Sequence, residues 1–249
     1  MVDLEELRKK KAMANFRGKS AYCFIRDNKL IKVYANKQDV GFMSLDRDSI
    51  CDLSKYEADT IVFPDYYLYE DGKKAGEVMD YINDLSIDVA FDDRIELIPL
   101  VENYELVIRD ILTFSNLKMC DLCDVNILYS QENGFHLIDT TEWELSDEKA
   151  RWNIKRFNTY VIKTLLEYID VPINYCRDYC FIDKKFQKKL FKFGKPGERL
   201  YQTLDHNLNE KYSIYDLIYA YMTLYHKYYG EELKTLEETK ELTKVLKKG

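Results

Sequence analysis

The hydrophobic pattern of the chain changes period part-way along. "SAYCFIRDNKLIKVYA" (residues 20–35) holds two short runs rich in β-branched and aromatic residues around the polar pair Asp27-Asn28, which predicts a hairpin. "DTIVFPDYYLYEDGKKAGEVMDYI" (59–82) repeats the arrangement around Asp71-Gly72, a pair that reaches left-handed backbone cheaply. Residues 3–14 predict a short charged helix, and a second short helix is expected over 46–56. Beyond residue 95 the spacing lengthens. Leu97, Leu100, Val101, Tyr104, Val107, Ile108, Ile111 and Leu112 recur at offsets of three and four, the signature of a buried helix. Further helices are expected over 153–169, 184–193, 213–229 and 232–248. A strand-rich part followed by a helix-rich part predicts an α+β fold of two lobes, residues 1–82 and 83–249, joined near 80–86.

Composition narrows the classes of function. The 249 residues are 46% hydrophobic and 14% aromatic, with 21 Tyr, so the chain has ample surface to bury. A net charge of −7 argues against a sheath around nucleic acid, which needs a basic face. The lysines at 184, 185, 188, 189 and 192 read as a solvated face. No apolar run reaches the length of a membrane span, and "MVDLEELRKKKAMANF" lacks the apolar core of a signal peptide. The expected location is cytoplasmic, with no membrane partner. Cys120 and Cys123 form a C-x2-C, but no second pair stands at zinc-ribbon spacing, so plain thiols are the better reading than a metal–thiolate site.

Chemistry concentrates in "MCDLCDVNILYSQENGFHLIDTTEW" (119–143), where Asp121, Asn126 and Asp139 interrupt an apolar stretch. Strands "ILYS" and "FHLI" flank the turn "QENG". That register pairs Ile127 with Ile138 and Ser130 with Phe135, and sets Asn126 opposite Asp139, at a Cα separation of about 5 Å. An amide oxygen with a carboxylate suits a hard cation such as Mg²⁺, which completes its shell with phosphate oxygens and water. Asp121, five residues before Asn126, is placed to orient a hydroxyl attacking a phosphoryl group and to accept its proton. Each residue alone has a plainer reading: Asp121 as a turn residue, Lys32 as an edge-strand lysine, Gly18 as a turn glycine, His136 as a packing residue.

The run D-x-x-x-x-N-I-L, followed by a short hairpin and L-I-D, resembles the catalytic and metal-binding loops of the protein-kinase-like superfamily, which includes the eukaryotic-type, aminoglycoside and choline kinases. The resemblance runs over about residues 16–170. It implies ATP and Mg²⁺ as cofactors, Asp121 as the catalytic Asp, and Asn126 and Asp139 as the metal ligands. It implies that Lys32 contacts the α/β-phosphates, that Gly18 and Ser20 stand where the family's glycine loop lies, and that the backbone of Met79, Tyr81 and Ile82 meets the adenine edge. The sequence departs from the family in lacking G-x-G-x-x-G, in carrying Met119-Cys120 before Asp121, Thr140-Thr141 after Asp139, and a shortened activation segment. The acid that pairs with the strand lysine is not identifiable; Asp46, Asp48, Asp52 and Glu57 are the positions considered. The implied activity is transfer of the γ-phosphoryl group to a hydroxyl of a protein or small molecule. A pseudokinase, as a nucleotide-binding or purely scaffolding module, and an AMP-transferring enzyme of the same fold stay open beside it.

Overall fold

The computed structural model describes residues 3–10, 14–18, 20–36, 45–90, 97–146, 150–168, 173–176, 179–182 and 184–191. They form a mixed α+β structure of antiparallel sheets and helices. In chain order the elements are α1 (Leu4–Lys9), β1 (Phe16–Arg17), β2 (Ala21–Arg26), β3 (Lys29–Tyr34), β4 (Tyr66–Glu70), β5 (Lys73–Asp80), β6 (Leu85–Ser86), α2 (Ile87–Ala90) and α3 (Leu97–Thr113). They continue with β7 (Leu117–Lys118), β8 (Ile127–Ser130), β9 (Gly134–Leu137), β10 (Glu144–Leu145), α4 (Ala150–Tyr168), β11 (Ile173–Cys176), β12 (Tyr179–Ile182) and α5 (Lys184–Phe191). The helices expected over 213–229 and 232–248 lie outside the described residues.

The main sheet has five strands in the order β1-β2-β3-β5-β4. Both expected hairpins are present. Asp27 and Asn28 (φ 51° and 58°) close β2–β3, and Asp71 and Gly72 (φ 51° and 75°) close β4–β5. Paired left-handed residues match the twist of the flanking strands, which is why Asn, Asp and Gly stand there. Two faces result. One packs Tyr22, Phe24, Ile31, Val33, Leu68 and Val78 against Leu7 of α1. Asp3 caps that helix, its carboxylate accepting from the backbone N–H groups of Glu5 and Glu6. The other face carries Ala21, Tyr34 and Tyr67 against Ile50.

The segment 46–56 corrects an expectation, for it forms turns and bends with no helix. Its acids bond their own backbone instead. Asp46 accepts from the N–H of Asp48, and Asp52 from the N–H of Ser54, each at 3.2 Å. Such i+2 bonds offer the chain an alternative to helix. Arg47 is drawn away to the carbonyls of Tyr34 and Ala35.

The second sheet, β6-β8-β9, lies on α3 and α4 through an aromatic cluster of Tyr104, Tyr129, Phe135 and Phe157. In α3, Leu100, Tyr104, Val107 and Ile111 are buried, while Leu112 faces out. The stretch 60–62 ties the layers together. Leu137 donates its N–H to Thr60 O, Val62 donates to Leu137 O, and Asp110 of α3 accepts from both the N–H and the hydroxyl of Thr60. No helix among the described residues is long and apolar enough to cross a membrane.

The β8–β9 register differs by one step from the sequence expectation. Ile127 pairs with Leu137 and Ser130 with Gly134. The turn has three residues, closed by Gly134 at φ 77°; a Cβ there would stand 2.5 Å from Asn103 Oδ1. Asn133 N–H bonds Ser130 Oγ within the turn. A three-residue turn ending on a left-handed glycine is a stable alternative to the four-residue loop expected. Asn126 therefore lies opposite Ile138, whose N–H donates to its carbonyl at 3.0 Å, and Asp139 follows one residue later.

Candidate functional site

Strand pairing builds the first half of the site. Phe16, Cys23, Lys32, Glu77 and Tyr67 are cross-strand partners in a single row over all five strands, so their side chains share one face. Lys32 and Glu77 are both buried on that face. Gly76 lets β5 close on β3, since a Cβ there would stand 2.5 Å from Lys32 O. The Lys32 ammonium bonds the carboxylate of Asp139 and reaches Thr141 Oγ1 at 2.5 Å and Glu77 Oε1 at 3.4 Å. Thr141 donates to Glu77 Oε1 at 2.6 Å, and Tyr34 donates its hydroxyl to Glu77 Oε2 at 3.0 Å.

Electrostatics follow from this packing. Burial alone would lower the Lys32 pKa, but the Asp139 and Glu77 charges outweigh it and raise it above the ordinary lysine value. Lys32 is thus a fixed cation. Burial pushes the neighbouring Cys23 thiol up to about 11, and raises the Tyr34 hydroxyl well above its usual range.

The second half is the loop between β7 and β8. Helix α4 holds it: Asn153 accepts from Met119 N–H and donates to Leu117 O, while Arg156 Nε donates to Leu122 O at 2.8 Å. Within the loop, Asn126 Nδ2 donates to the carbonyl of Asp121 at 2.9 Å and lies 3.4 Å from Asp121 Oδ2. The amide nitrogen is committed to Asp121, which leaves Oδ1 as the Asn126 atom for a cation.

Among the described residues, five that are not glycine have positive φ: Asp27, Asn28, Asp71, Asp121 and Asp139. The first three close hairpins. Asp121 (φ 56°) and Asp139 (φ 58°) belong to no hairpin turn. Left-handed backbone at a residue with a Cβ costs energy and concentrates at functional positions.

The structure therefore brings Asp121 to Asn126, and Lys32 to Asp139. The two pairs are neighbours through the bond from Ile138 N–H to Asn126 O, and the expected face-to-face pairing of Asn126 with Asp139 is replaced by a one-step offset. Gly18 and Ser20 sit in the β1–β2 turn, at the Tyr34 end of β3: Gly18 N–H donates to Ala21 O, and Ser20 O accepts from Ala35 N–H. Met79 pairs with Leu30 and Tyr81 N–H bonds Asn28 O, which puts Met79, Tyr81 and Ile82 towards the opposite end of that strand, with Lys32 between. The Tyr81 ring stacks with Phe16, centroids 6.4 Å apart.

None of the four acids considered as the partner of Lys32 fills that role. Asp46 and Asp52 serve local turns, Asp48 pairs with Lys73 at 2.6 Å, and Glu57 is exposed. The acid is Glu77, which the sequence reading missed, as it missed Thr141. A signal existed: Ala75, Glu77 and Met79 occupy alternate positions of β5, so a charge there enters a buried face and needs a partner.

For metals, the donors at the loop are oxygen atoms, which suit a hard cation. Among the described residues no cluster of three or more His, Cys, Asp or Glu is arranged to hold an ion. Burial raises the thiol pKa of both Cys120 and Cys123, which disfavours the thiolate a soft metal needs. No protein-family model matches the chain, and no curated protein shows significant similarity to it.

Proposed function

We propose that this chain is a phosphotransferase of the protein-kinase-like type, bilobal, with a β-rich lobe over residues 1–82 and a helical lobe over 83–249. In this reading it takes ATP with Mg²⁺ and passes the γ-phosphoryl group to a hydroxyl of a protein or small molecule. The observation that carries it is the meeting of Lys32 with Asp139, 107 residues apart, on a buried sheet face that otherwise has no need of charge. The left-handed backbone of Asp121 and Asp139 supports it further.

Each residue has a task. Lys32 holds phosphate oxygens as a fixed cation. Asn126 Oδ1 and the Asp139 carboxylate, whose side chain is 41% exposed, are the atoms for Mg²⁺. The ion, when bound, supplies charge neutralisation to the phosphates. Asp121, exposed at the loop surface, orients the acceptor hydroxyl and takes its proton as the new oxygen–phosphorus bond forms and the bond from the γ-phosphorus to the departing ADP breaks. Positioning and electrostatic stabilisation carry most of the acceleration in such transfers.

One observation favours a pseudokinase scaffold: Lys32 already has three oxygen partners, which compete with phosphate for it. Two measurements separate the readings. Thermal unfolding with ATP, with and without Mg²⁺, is expected to show metal-dependent stabilisation. Intact-mass analysis after incubation with ATP and candidate acceptors is expected to show added phosphate; added AMP would assign nucleotidyl transfer instead. Stabilisation without any product would favour a nucleotide-binding module without transfer, and no metal-dependent stabilisation would favour a pure scaffold and reject the nucleotide site.

A further inference from the structure

The stretch that leads from β5 to α2 is fastened to the β8–β9 hairpin by one short strand and one side-chain cluster. Strand β6 has two residues, Leu85 opposite Tyr129 and Ser86 opposite Leu128, and His136 lies across from Leu128 on the other side. Asp84, two residues before Ser86, lies on the same face as His136. Its carboxylate is 6% exposed and the imidazole 15%. Asn133 Nδ2 donates to Asp84 Oδ1 at 3.0 Å. Asp84 Oδ2 stands 3.5 Å from His136 Nδ1, and both atoms are buried without a hydrogen bond. We propose that Asp84 and His136 form an acid-released latch: the neutral imidazole lies against the buried carboxylate and holds the linker to the hairpin, and a proton taken up by His136 lets the two come apart.

With so little backbone pairing in β6, side-chain contacts decide how firmly the linker is held. Two buried polar atoms that face each other unbonded leave that contact open to change. Burial disfavours the imidazolium more than the Asp84 charge favours it, so His136 holds a proton less readily than an imidazole in water. A proton therefore binds the exposed ring better than the buried one, and acid favours the state in which His136 reaches water. The contribution of the latch is complete above the ordinary imidazole value of about 6.5 and is lost as pH falls below it. Among the described residues, Asp84 is the charged group that acts on the ring. On β8 its neighbours are Leu128 and Ser130, and from the far side of β9 come Thr60, Ile61 and Val62, none of them ionisable. Helix α3 meets the hairpin through Asn103 at Gly134, and its buried acid Asp110 is bonded to Thr60. Asp80, at the end of β5, pairs with Lys29, while Glu132 of the turn and Asp88 of α2 are exposed. The latch itself does not depend on the functional reading above. Its consequence does: in that reading the linker carries the backbone expected at the adenine edge and the hairpin lies between Asn126 and Asp139, so release weakens nucleotide binding in mild acid.

The test is native-state hydrogen exchange of the amides of residues 84–86 in the full chain, without nucleotide, corrected for the intrinsic effect of pH and referenced to amides of β3. Exchange in the parent should speed up about threefold or more between about pH 7.5 and 5.5. In His136→Gln it should stay level over that range. Asp84→Asn removes the charge that favours the imidazolium, so release should move to lower pH. Parent protection that is constant with pH, or that rises in acid, overturns the proposal, and so does an undiminished fall in His136→Gln. An unmoved midpoint in Asp84→Asn overturns it too, and this arm decides the matter if His136→Gln does not fold. Calorimetry supplies the second readout: Mg²⁺-ATP affinity should weaken over the same range more in the parent than in His136→Gln. Equal weakening in both overturns the coupling to nucleotide. If the parent binds no nucleotide while protection of 84–86 still follows His136, the latch stands and the phosphotransferase reading falls.

Discussion

The two faces of the five-stranded sheet are built from alternate residues of the same strands, yet they follow different rules. On one, Tyr22, Phe24, Ile31, Val33 and Val78 bury apolar surface against Leu7 of α1. On the other, the same strands present Cys23, Lys32 and Glu77, closed off by Asp139 and Thr141. The first face needs only removal of apolar area from water, which any well-shaped side chains supply. The second buries an ion cluster, for which apolar residues of the same volume would serve stability equally well or better. A buried charge network beside a packed apolar face is thus weak evidence for stability and better evidence for chemistry.

The largest effect expected on this comparison is on the charged face. Asp139→Ala should cut ATP-dependent transfer by about a thousandfold or more, the scale seen when a group stabilising transition-state charge is removed. Its urea midpoint should stay near that of the parent, because Glu77 remains on Lys32. A variant with full turnover would remove Asp139 from the site. The apolar face should behave in the opposite way. Ile31, 2% exposed, is expected to cost about 3 kcal/mol in Ile31→Ala, read from urea unfolding, with nucleotide affinity of the folded protein unchanged. Equal loss of affinity in Ile31→Ala would show that the two faces are not separable.

The alkaline limb of stability sharpens the contrast. Folding raises the Cys23 pKa to about 11, so the unfolded chain gives up this proton first as pH rises. A group with a raised folded pKa stabilises fully below its unfolded value and loses that contribution on the way up. Stability should therefore fall between about pH 9 and 11, by about 3 kcal/mol from Cys23. Lys32 and Tyr34 are shifted in the same direction and add their losses at higher pH. In Cys23→Ala the slope of urea midpoint against pH between 9 and 10 should flatten; a slope identical to the parent would remove Cys23 as its source.

The difference between the faces also explains what could be read from sequence. Both hairpins of the main sheet were legible, because Asp27-Asn28 and Asp71-Gly72 announce left-handed turns locally. So was the buried stripe of α3. The turns over 46–56, where a short helix was expected, were not, since Asp46 and Asp52 spend their side chains on their own backbone. The β8–β9 register slipped by one because Gly134 was counted inside the turn rather than as its left-handed last partner. Asp121, Asn126, Asp139 and Lys32 were picked out by spacing and by resemblance. Glu77 escaped because its meaning lies in cross-strand pairing with Lys32, 45 positions away, and β3–β5 pairing is a tertiary fact that neither hairpin encodes.

The smallest effect concerns the outer end of the charged face. Phe16 extends the row of Cys23 and Lys32 to the sheet edge, and its ring stacks with Tyr81 at 6.4 Å and 29°. Tyr81 is anchored twice, by its N–H to Asn28 O and by its hydroxyl to Asn83 Oδ1 at 3.1 Å. Phe16 is 49% exposed, so this pair offers an aromatic surface beside the buried cation. If the row binds a nucleotide with its phosphates at Lys32, its base has these rings to stack on. Stacking on an aromatic side chain contributes about 1–3 kcal/mol per base and tolerates any base. Phe16→Ala and Tyr81→Ala should each weaken ATP binding about tenfold. GTP should be weakened equally, and inorganic triphosphate not at all, by calorimetry. Equal loss for triphosphate would mean the rings support the strand edge rather than the base. An unchanged ATP affinity in both variants would put the base elsewhere.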